Sequence, residues 1–288
     1  MNRIMFHCQL IQAGEIQAIV GDASRNGIGG PQYCGLWSLT SKHRPFNAFG
    51  NSYAGLIPGE LRGKSPILNV LDETTVVLYR RADASYPVDA YAMYQIKEPY
   101  YIDHVLKIRD GKNMLNTRVN VREVSWCSYI NSPENPFLHF ISNGKWCSYI
   151  SPQHGVGANI APSYVPDEEL EIWPDEPHPP RPFHWHRANI RFDEPLYYGR
   201  LGNMILIFIF DTPRWLRFYC SPTGGGDSLL PGKYSPAWDF EWLIPAREYQ
   251  VGREYQFRMR LVYKKYVDDE DAWNEYEKAV RELGFETV

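Results

Sequence analysis

Residues 126–150 read WCSYINSPENPFLHFISNGKWCSYI, and this stretch decides how the chain folds. The pentapeptide WCSYI stands at both ends of it, and a short apolar run, residues 137–141, lies between the copies. Asn143-Gly144 is a strong hairpin signal, because a type I′ turn needs positive φ at both central residues. It predicts a hairpin in which Ile141 faces Trp146 and Leu138 faces Tyr149.

The first copy is predicted to pair with the other side of the central run. If Ile130 faces Phe137 across a polar loop, both copies flank the run in one register and lie parallel to each other. Cys127 and Cys147 are then two strand spacings apart, about 9.5 Å. A disulfide needs Cα atoms within about 7 Å, so we predict that these two thiols are free.

Both copies would leave this three-stranded meander at the same end. The loops that follow them, residues 131–135 and 151–155, should therefore be neighbours. This arrangement predicts that Glu134 and His154 share one rim of the sheet.

The composition favours strands joined by tight turns. Nine Trp and twenty Tyr contribute to an aromatic share of 15%, and Gly and Pro number 22 each. Only residues 268–284 have a clear helical period, with an aspartate to begin the helix and Gly284 to end it. We predict one all-β domain over residues 1–288, a large antiparallel β-sandwich with this short C-terminal helix packed on it.

Charge and hydropathy exclude several classes of protein. The net charge of −4 lacks the basic excess typical of a nucleic-acid binder. The longest apolar run, Met204–Phe210, is far shorter than the roughly 20 residues that span a bilayer. The first residues contain no apolar segment of a signal peptide, which predicts a cytoplasmic protein, or a periplasmic one if such a segment had been removed. Five cysteines without a C-x-x-C motif indicate buried free thiols.

Two carboxylates stand at i and i+2 in the run AWDFEW. On a strand, Asp239 and Glu241 point to the same face about 6.6 Å apart, near the lower limit of roughly 6.5–9.5 Å for a glycosidase acid and base with a water between them. Trp238 and Trp242 flank them and could raise the pKa of one carboxyl by desolvation. The alternative is a pair of solvent-facing acids on an alternating strand.

Four histidines are candidates for chemistry. His184 and His186 have the spacing to grip one metal from one face of a strand, with His154 or His104 as a third ligand. His104 follows Asp103 on a predicted strand, so these two side chains point to opposite faces. The alternative for each histidine is an exposed side chain or one that is satisfied in the core.

The overall pattern resembles the galactose-mutarotase-like supersandwich proteins, which include aldose epimerases and the sandwich domains of polysaccharide lyases and glycosidases. The resemblance rests on the aromatic strands that close the chain, residues 238–242 and 255–266, and on histidines dispersed over strands and loops. No single motif carries it. It implies a groove on a concave sheet, lined by His, Asp or Glu, Arg and Trp, in which a His acid and a carboxylate base act on a sugar.

The leading hypothesis is therefore a carbohydrate-active enzyme, either glycoside-cleaving, a lyase or a sugar epimerase, that works by general acid/base chemistry. The candidate acids and bases are His154, Asp239, Glu241 and His104. The candidate substrate-binding residues are Trp238, Trp242, Arg187, Arg217 and Glu134. The partner is a mono- or oligosaccharide, nucleic acid and membrane are not expected, and a homo-oligomer is left open.

Two other hypotheses stay open. One is a metal-dependent sugar lyase or isomerase that holds one divalent metal with His184 and His186, whereas the leading hypothesis needs no cofactor. The other is a carbohydrate-binding protein without catalytic activity.

Overall fold

Residues 7–23, 33–50, 55–117, 120–166, 186–222 and 235–287 are described by the computed structural model. Within them the chain forms three β-sheets and one α-helix. The strands are β1 Cys8–Ala13, β2 Ile16–Asp22, β3 Cys34–Ser41, β4 Ile57–Pro58, β5 Ile67–Val70, β6 Thr75–Arg80, β7 Val88–Lys97, β8 Tyr101–Asp110, β9 Val121–Cys127, β10 Asn135–Ser142, β11 Lys145–Tyr149, β12 Asn159–Pro162, β13 Arg187–Phe192, β14 Leu196–Leu201, β15 Met204–Phe210, β16 Leu216–Ser221, β17 Ala237–Pro245 and β18 Glu254–Lys265; the helix is α1 Asp269–Leu283.

Two large sheets form the sandwich. The nine-stranded sheet has the order β11-β10-β14-β15-β18-β8-β7-β6-β5, and the six-stranded sheet has the order β13-β12-β16-β17-β9-β4. The third sheet, β1-β2-β3, is smaller. All described pairings are antiparallel except β12 with β13. The all-β class with a C-terminal helix is confirmed.

The hydrophobic core lies between the two large sheets. Along β7, buried and half-buried residues alternate without a break, as a strand with one face on the core requires. In β15, by contrast, every residue is buried. One face of it, with Leu206 and Phe208, joins the main core, and the other, with Ile205 and Ile207, packs under α1. Burial on both faces explains why the longest apolar run of the chain is a strand.

The second copy of the repeat folds as predicted. Asn143 and Gly144 both have positive φ, 52° and 69°. Ile141 faces Trp146 and Leu138 faces Tyr149, which is the predicted register.

The predicted pairing of the first copy is wrong. Its first residues end β9, which pairs with β17 and β4 in the six-stranded sheet, and the other neighbour of β10 is β14. The proline-containing loop after Ile130 carries the chain from one sheet to the other, so two identical pentapeptides lie in opposite layers. Hairpin chemistry fixes only the pairing across the tight turn, whereas the longer loop leaves the partner of the first copy open.

The prediction that Glu134 and His154 share one rim depends on the pairing of the first copy, so it is wrong too. Glu134 is exposed, and its carboxylate accepts a hydrogen bond from the backbone N–H of Gly202 at 2.6 Å, in the turn between β14 and β15. His154 instead contacts Ser221 at the end of β16, with 2.9 Å between Nδ1 and Oγ. The two side chains therefore belong to different sheets. All five cysteines are free thiols.

Helix α1 begins and ends close to the predicted residues. The carboxylate of Asp268 accepts a hydrogen bond from the N–H of Asp271 at 2.8 Å, and Gly284 ends the helix in the left-handed conformation. Ala272, Tyr276 and Ala279 pack on the outer face of the nine-stranded sheet. In the described part of the chain, no helix is both long enough and apolar enough to cross a membrane.

Trp238 joins the two large sheets. Its indole lies against Gly199 in β14, so closely that a Cβ added to this glycine would lie 2.0 Å from a ring carbon. The indole Nε1 donates to the carbonyl of Pro136 at 2.9 Å, and the Tyr197 hydroxyl donates to the Trp238 carbonyl at 2.8 Å. A glycine is therefore required where β14 crosses this ring.

We expect Gly199→Ala to lower the free energy of unfolding by about 1–3 kcal/mol, because the new methyl group displaces the indole from a packed core. Urea denaturation measures the loss. In a Trp238→Phe background, where the outer ring is absent, the same change should cost less. Equal costs in the two backgrounds would show that the indole does not require the glycine.

Candidate functional site

The outer face of the six-stranded sheet carries a group of polar side chains on neighbouring strands. Strand β17 lies near its middle and alternates strictly, so Asp239 and Glu241 point away from the core. The predicted common face of these two carboxylates is therefore present. The surrounding strands place polar residues beside them.

Trp238 and Trp242 lie on the other side of β17, in the hydrophobic core, at 0% and 1% exposure. Their expected role in stacking on a sugar is contradicted, because no surface of either ring is open to a ligand. They lie on the opposite side of β17 from the carboxylates, and the expected rise of a carboxyl pKa by burial is present at both Asp239 and Glu241. The physical reason is that alternate side chains leave a strand on opposite sides. The alternation that puts both carboxylates on one face therefore puts both tryptophans on the other.

Asp239 is partly buried at the centre of this outer face. Tyr219 of β16 lies opposite it on one side, and the register of β17 on β9 places Cys127 opposite it on the other. Its Oδ1 accepts a hydrogen bond from the backbone N–H of Ser128 at 2.5 Å. Burial raises the pKa of Asp239 to about 8, opposed by this hydrogen bond and by the charge of Arg62. The carboxyl is therefore mostly neutral near pH 7.

Arg62 comes to this site from the edge of the sheet. Strand β4 pairs with β9 through Ile57 and Cys127, and a short 3-10 helix, Gly59–Leu61, turns the chain so that Arg62 follows it. The guanidinium is exposed and lies 3.4 Å from the Cys127 sulfur. Another of its nitrogens lies 3.4 Å from the Tyr33 hydroxyl, and the group sits 5.0 Å from the centre of that ring.

The walls around Arg62 and Asp239 are phenols and a thiol. Tyr33 and Tyr129 pack edge to face at 6.3 Å and are almost completely buried. Burial raises the pKa of both phenols and that of Tyr219, and burial together with Asp239 raises the pKa of the Cys127 thiol to about 12. These walls are therefore uncharged at neutral pH, and they donate and accept hydrogen bonds.

Glu241 is tied to Arg217 in the row next to Asp239. The Arg217 Nε donates to Oε1 of Glu241 at 3.0 Å, and its Nη2 contacts the same oxygen. Both side chains are buried, at 0% and 4% exposure. Burial raises the pKa of Glu241, the neighbouring Glu123 raises it further, and Arg217 opposes both. This pair lies beside the candidate site but does not open to it, in contrast to the expected direct roles of both residues.

His154 and Arg187 lie on the same face at greater distances. Ser221, which contacts His154, is the diagonal neighbour of Asp239 across β16 and β17, about 7–8 Å away between Cα atoms. Arg187 begins β13, three strand spacings from β17 and about 14 Å away. His154 can therefore border the site at Asp239, and Arg187 is at the edge of the sheet.

His104 is not on this face. It lies in the core at 1% exposure, where its Nδ1 contacts the Met93 carbonyl at 2.8 Å and its Nε2 accepts a hydrogen bond from the Trp126 indole at 3.0 Å. Its ring stacks on Tyr94 at 4.4 Å. Both nitrogens are thus occupied and no ligand can reach them, which contradicts the expected role in proton transfer. Asp103 points to the opposite face, as predicted, and pairs with Arg260.

The residues proposed for a metal site are only partly described. His184 lies outside the described residues. His186 accepts a hydrogen bond at Nδ1 from the N–H of Gly157 at 2.5 Å, so that nitrogen is engaged. Across the described ranges, no group of three or more His, Cys, Asp or Glu side chains is placed to hold a metal ion.

Comparison with known proteins gives a fold and no family. No family model matches the chain, and no curated protein matches it. Among solved structures, an aldose epimerase homologue from C. elegans is similar over 90% of this chain and 100% of its own, with a TM-score of 0.50 and 7% identity. The fold is galactose mutarotase-like. This is the fold that the aromatic strands and dispersed histidines led us to expect.

Two further structures are similar to the mutarotase-like sandwich of this chain at lower scores. A candidate aldose 1-epimerase from Escherichia coli K12 matches over 90% of this chain and all of its own, with 8% identity and a TM-score of 0.48. A heparan sulfate lyase from Pedobacter heparinus matches 88% of this chain and 34% of its own, with 8% identity and a TM-score of 0.42.

Sequence reasoning missed most of the residues around Asp239 on this mutarotase-like sandwich. Arg62, Tyr33 and Tyr219 come from three distant segments, and no local pattern links them. One signal was available for Arg62, since a charged residue in a loop rich in Gly and Pro more often serves a site than a core. Cys127 and Tyr129 were in view as parts of the repeat, but they were assigned to the wrong sheet.

The core position of His104 predicts how stability depends on pH. Burial lowers the pKa of His104 to about 3 from the ordinary 6.5. Below pH 6.5 the unfolded chain takes up a proton that the folded chain refuses until about pH 3, so stability is lost as the pH falls through this window. Between pH 7 and pH 5 the contribution of this histidine is about 2 kcal/mol.

We expect His104→Gln to remove this contribution, because an amide can donate to Met93 and accept from Trp126 without titrating. Urea denaturation at pH 7 and pH 5 gives the loss for each protein, and wild type should lose about 2 kcal/mol more than the variant. His7→Gln, at an exposed position, is the control and should follow wild type. Equal losses in wild type and His104→Gln would contradict the assignment.

Proposed function

We propose that this protein is a carbohydrate-active enzyme that binds a saccharide on the outer face of the six-stranded sheet and transfers protons with Asp239. The observation that carries the proposal is a partly exposed carboxyl with a pKa raised to about 8, held between an exposed arginine and a set of phenols. A carboxyl that stays protonated near neutral pH can act as a general acid. The fold is shared with sugar epimerases and a polysaccharide lyase.

The surroundings of Asp239 suit an acid that must reach a sugar oxygen. The N–H of Ser128 fixes Oδ1, which leaves Oδ2 to carry the proton toward the open side of the face. Tyr219 and Tyr129 wall this area at 5% and 9% exposure, so they shield Asp239 from water rather than contact the hydroxyls of the substrate. In this scheme Asp239 donates its proton to the glycosidic or ring oxygen of the substrate.

His154 is the candidate for the second proton-transfer group. Its imidazole is only partly buried and is oriented by the contact between Nδ1 and the Ser221 hydroxyl. A neutral imidazole can take the proton from a substrate hydroxyl or a water while Asp239 delivers one on the other side. Glu241 and Arg217 would support this arrangement from the neighbouring row, as a buried pair that holds β16 and β17 together.

Arg62 supports an anionic substrate. Its guanidinium is exposed, and within the described residues it has a thiol and a phenol as hydrogen-bond partners and no carboxylate in an ion pair. Asp239 is mostly neutral at pH 7, so the face around Arg62 carries a positive charge. A guanidinium in this setting binds a carboxylate or a sulfate through two parallel hydrogen bonds. A uronate or a sulfated sugar therefore fits the site better than a neutral sugar does.

Asp239→Asn should lower turnover by about 10²–10⁴-fold on any saccharide that the wild type converts, because the amide cannot donate an acidic proton. The assays are mutarotation, release of reducing ends and formation of unsaturated product on a panel of acidic and neutral saccharides. Glu270→Gln, an exposed position in α1, is the control and should keep full activity.

The pH dependence of turnover shows whether Asp239 acts as a general acid or as a general base. If Asp239 acts as the acid, turnover falls as the pH rises through about 8, where the carboxyl loses its proton. A rise through the same pH would assign it as a base. The proposal is wrong if no saccharide of the panel is converted and one of them binds equally well to wild type and to the double variant Asp239→Asn with Glu241→Gln. The protein would then be a carbohydrate-binding protein.

Arg62→Gln should weaken the binding of galacturonate by about tenfold or more relative to wild type, because a charge-assisted pair is replaced by neutral hydrogen bonds. Calorimetric titration with galacturonate and with galactose separates the loss of charge recognition from damage to the site. Arg253→Gln removes an exposed arginine elsewhere and should bind galacturonate like wild type. Equal affinities for both sugars in wild type would refute the anionic preference.

A further inference from the structure

The nine-stranded sheet has an outer face of its own, and α1 covers only part of it. The helix packs over β14, β15 and the end of β18. Across β6, β7, β8 and the beginning of β18 the same face forms a groove of about 540 Å³. This volume lies within the range of roughly 300–1,000 Å³ that small-molecule sites occupy.

The floor of the groove is built from aromatic and apolar side chains in register. Tyr79 lies directly opposite Tyr91 on neighbouring strands, and Met93 lies opposite Val105. The two strands are about 4.8 Å apart, so both tyrosine side chains leave the same face of the sheet side by side. Both tyrosines are partly exposed, and within the described residues neither hydroxyl has a hydrogen-bond partner in the protein.

Hydrogen-bonding side chains surround this floor. Lys107 continues the row of the tyrosines on β8, and Gln256 follows it on β18. Gln256 is exposed, and its amide makes no hydrogen bond to any other described residue. Unused phenol and amide groups in one row offer donors and acceptors to a ligand that lies along it.

The charges of the rim are balanced. Arg109 donates two hydrogen bonds to Asp89, at 2.9 and 3.3 Å, and Lys107 lies 3.7 Å from Glu254. At the end next to α1, Arg258 pairs with Asp211 at 3.2 Å and donates to the Leu283 carbonyl at the end of the helix. Each cation of the rim thus faces a carboxylate. The rim gives no net attraction to an anion or a cation, and it fits a neutral ligand.

We propose that this groove is a second saccharide-binding site, which takes a neutral chain of sugar rings with Tyr79 and Tyr91 as its stacking platform and Gln256, Asp89 and Arg109 as hydrogen-bonding partners. Sugar rings present C–H faces that pack on aromatic rings and hydroxyls that pair with amides and with paired charges. The groove lies on the opposite side of the sandwich from Asp239, so a long saccharide held here does not block the candidate active site. The proposal does not depend on catalysis at Asp239.

Electrophoresis in native gels that contain a neutral polysaccharide tests the proposal. The probes are hydroxyethyl cellulose and galactomannan, with polygalacturonate as the acidic comparison. We expect at least one neutral probe to retard both wild type and Asp239→Asn to the same extent. The double variant Tyr79→Ala with Tyr91→Ala should bind that probe about tenfold more weakly, since two stacking contacts are lost.

Two further variants keep the test decisive. Tyr79→Leu with Tyr91→Leu retains apolar bulk on the sheet and removes the aromatic faces, so it should also lose retardation if the alanine variant fails to fold. Phe46→Ala removes an aromatic ring that is 69% exposed on another surface and should behave like wild type.

The proposal is wrong if neither neutral probe retards wild type, or if a folded tyrosine variant is retarded like wild type. It is also wrong if sedimentation shows a wild-type dimer that the tyrosine variant abolishes, because the groove would then be an interface between copies of the chain. Loss of retardation in Asp239→Asn alone would place neutral sugar binding at the candidate active site and would overturn the second site.

Discussion

The two-residue period of β17 is the constraint on which the rest of the structure depends. Because alternate side chains leave a strand on opposite sides, Trp238 and Trp242 fill the core while Asp239 and Glu241 reach the outer face. The same strand therefore supplies the packing of the sandwich and the carboxyl of the candidate site. Trp238 lies on Gly199 across the core, so the position of the carboxyls is tied to the contact between the two sheets.

The two carboxylates of this strand differ because their neighbours differ. Glu241 is almost fully buried and is held by Arg217, which makes the pair a support between β16 and β17. Asp239 stays partly open, and a backbone N–H is its nearest partner, so burial keeps its proton in place near neutral pH. Two carboxyl groups can thus have distinct roles because their surroundings give them different partners and different exposure.

Local chemistry predicted the elements that depend on neighbouring residues. The hairpin over 138–149 and the helix that Asp268 begins were both predicted with their registers or ends, since a turn and a helix cap are decided within a few residues. The all-β class and the galactose mutarotase-like pattern also followed from the sequence. The partner of the first WCSYI copy was not predictable, because its loop is long enough to reach either sheet.

The sequence by itself determined that Asp239 and Glu241 share a face, that Asn143-Gly144 turns a hairpin and that the chain is a β-sandwich. Only the tertiary structure decided which face met the core, and this choice buried the two tryptophans and His104 and brought Arg62 and Tyr219 to Asp239. The physical reason is that alternation is symmetric: it separates two sets of side chains, and only packing against a second sheet selects the set that is buried. Contacts between distant segments carry no local pattern, so the surroundings of Asp239 exist only in the folded chain.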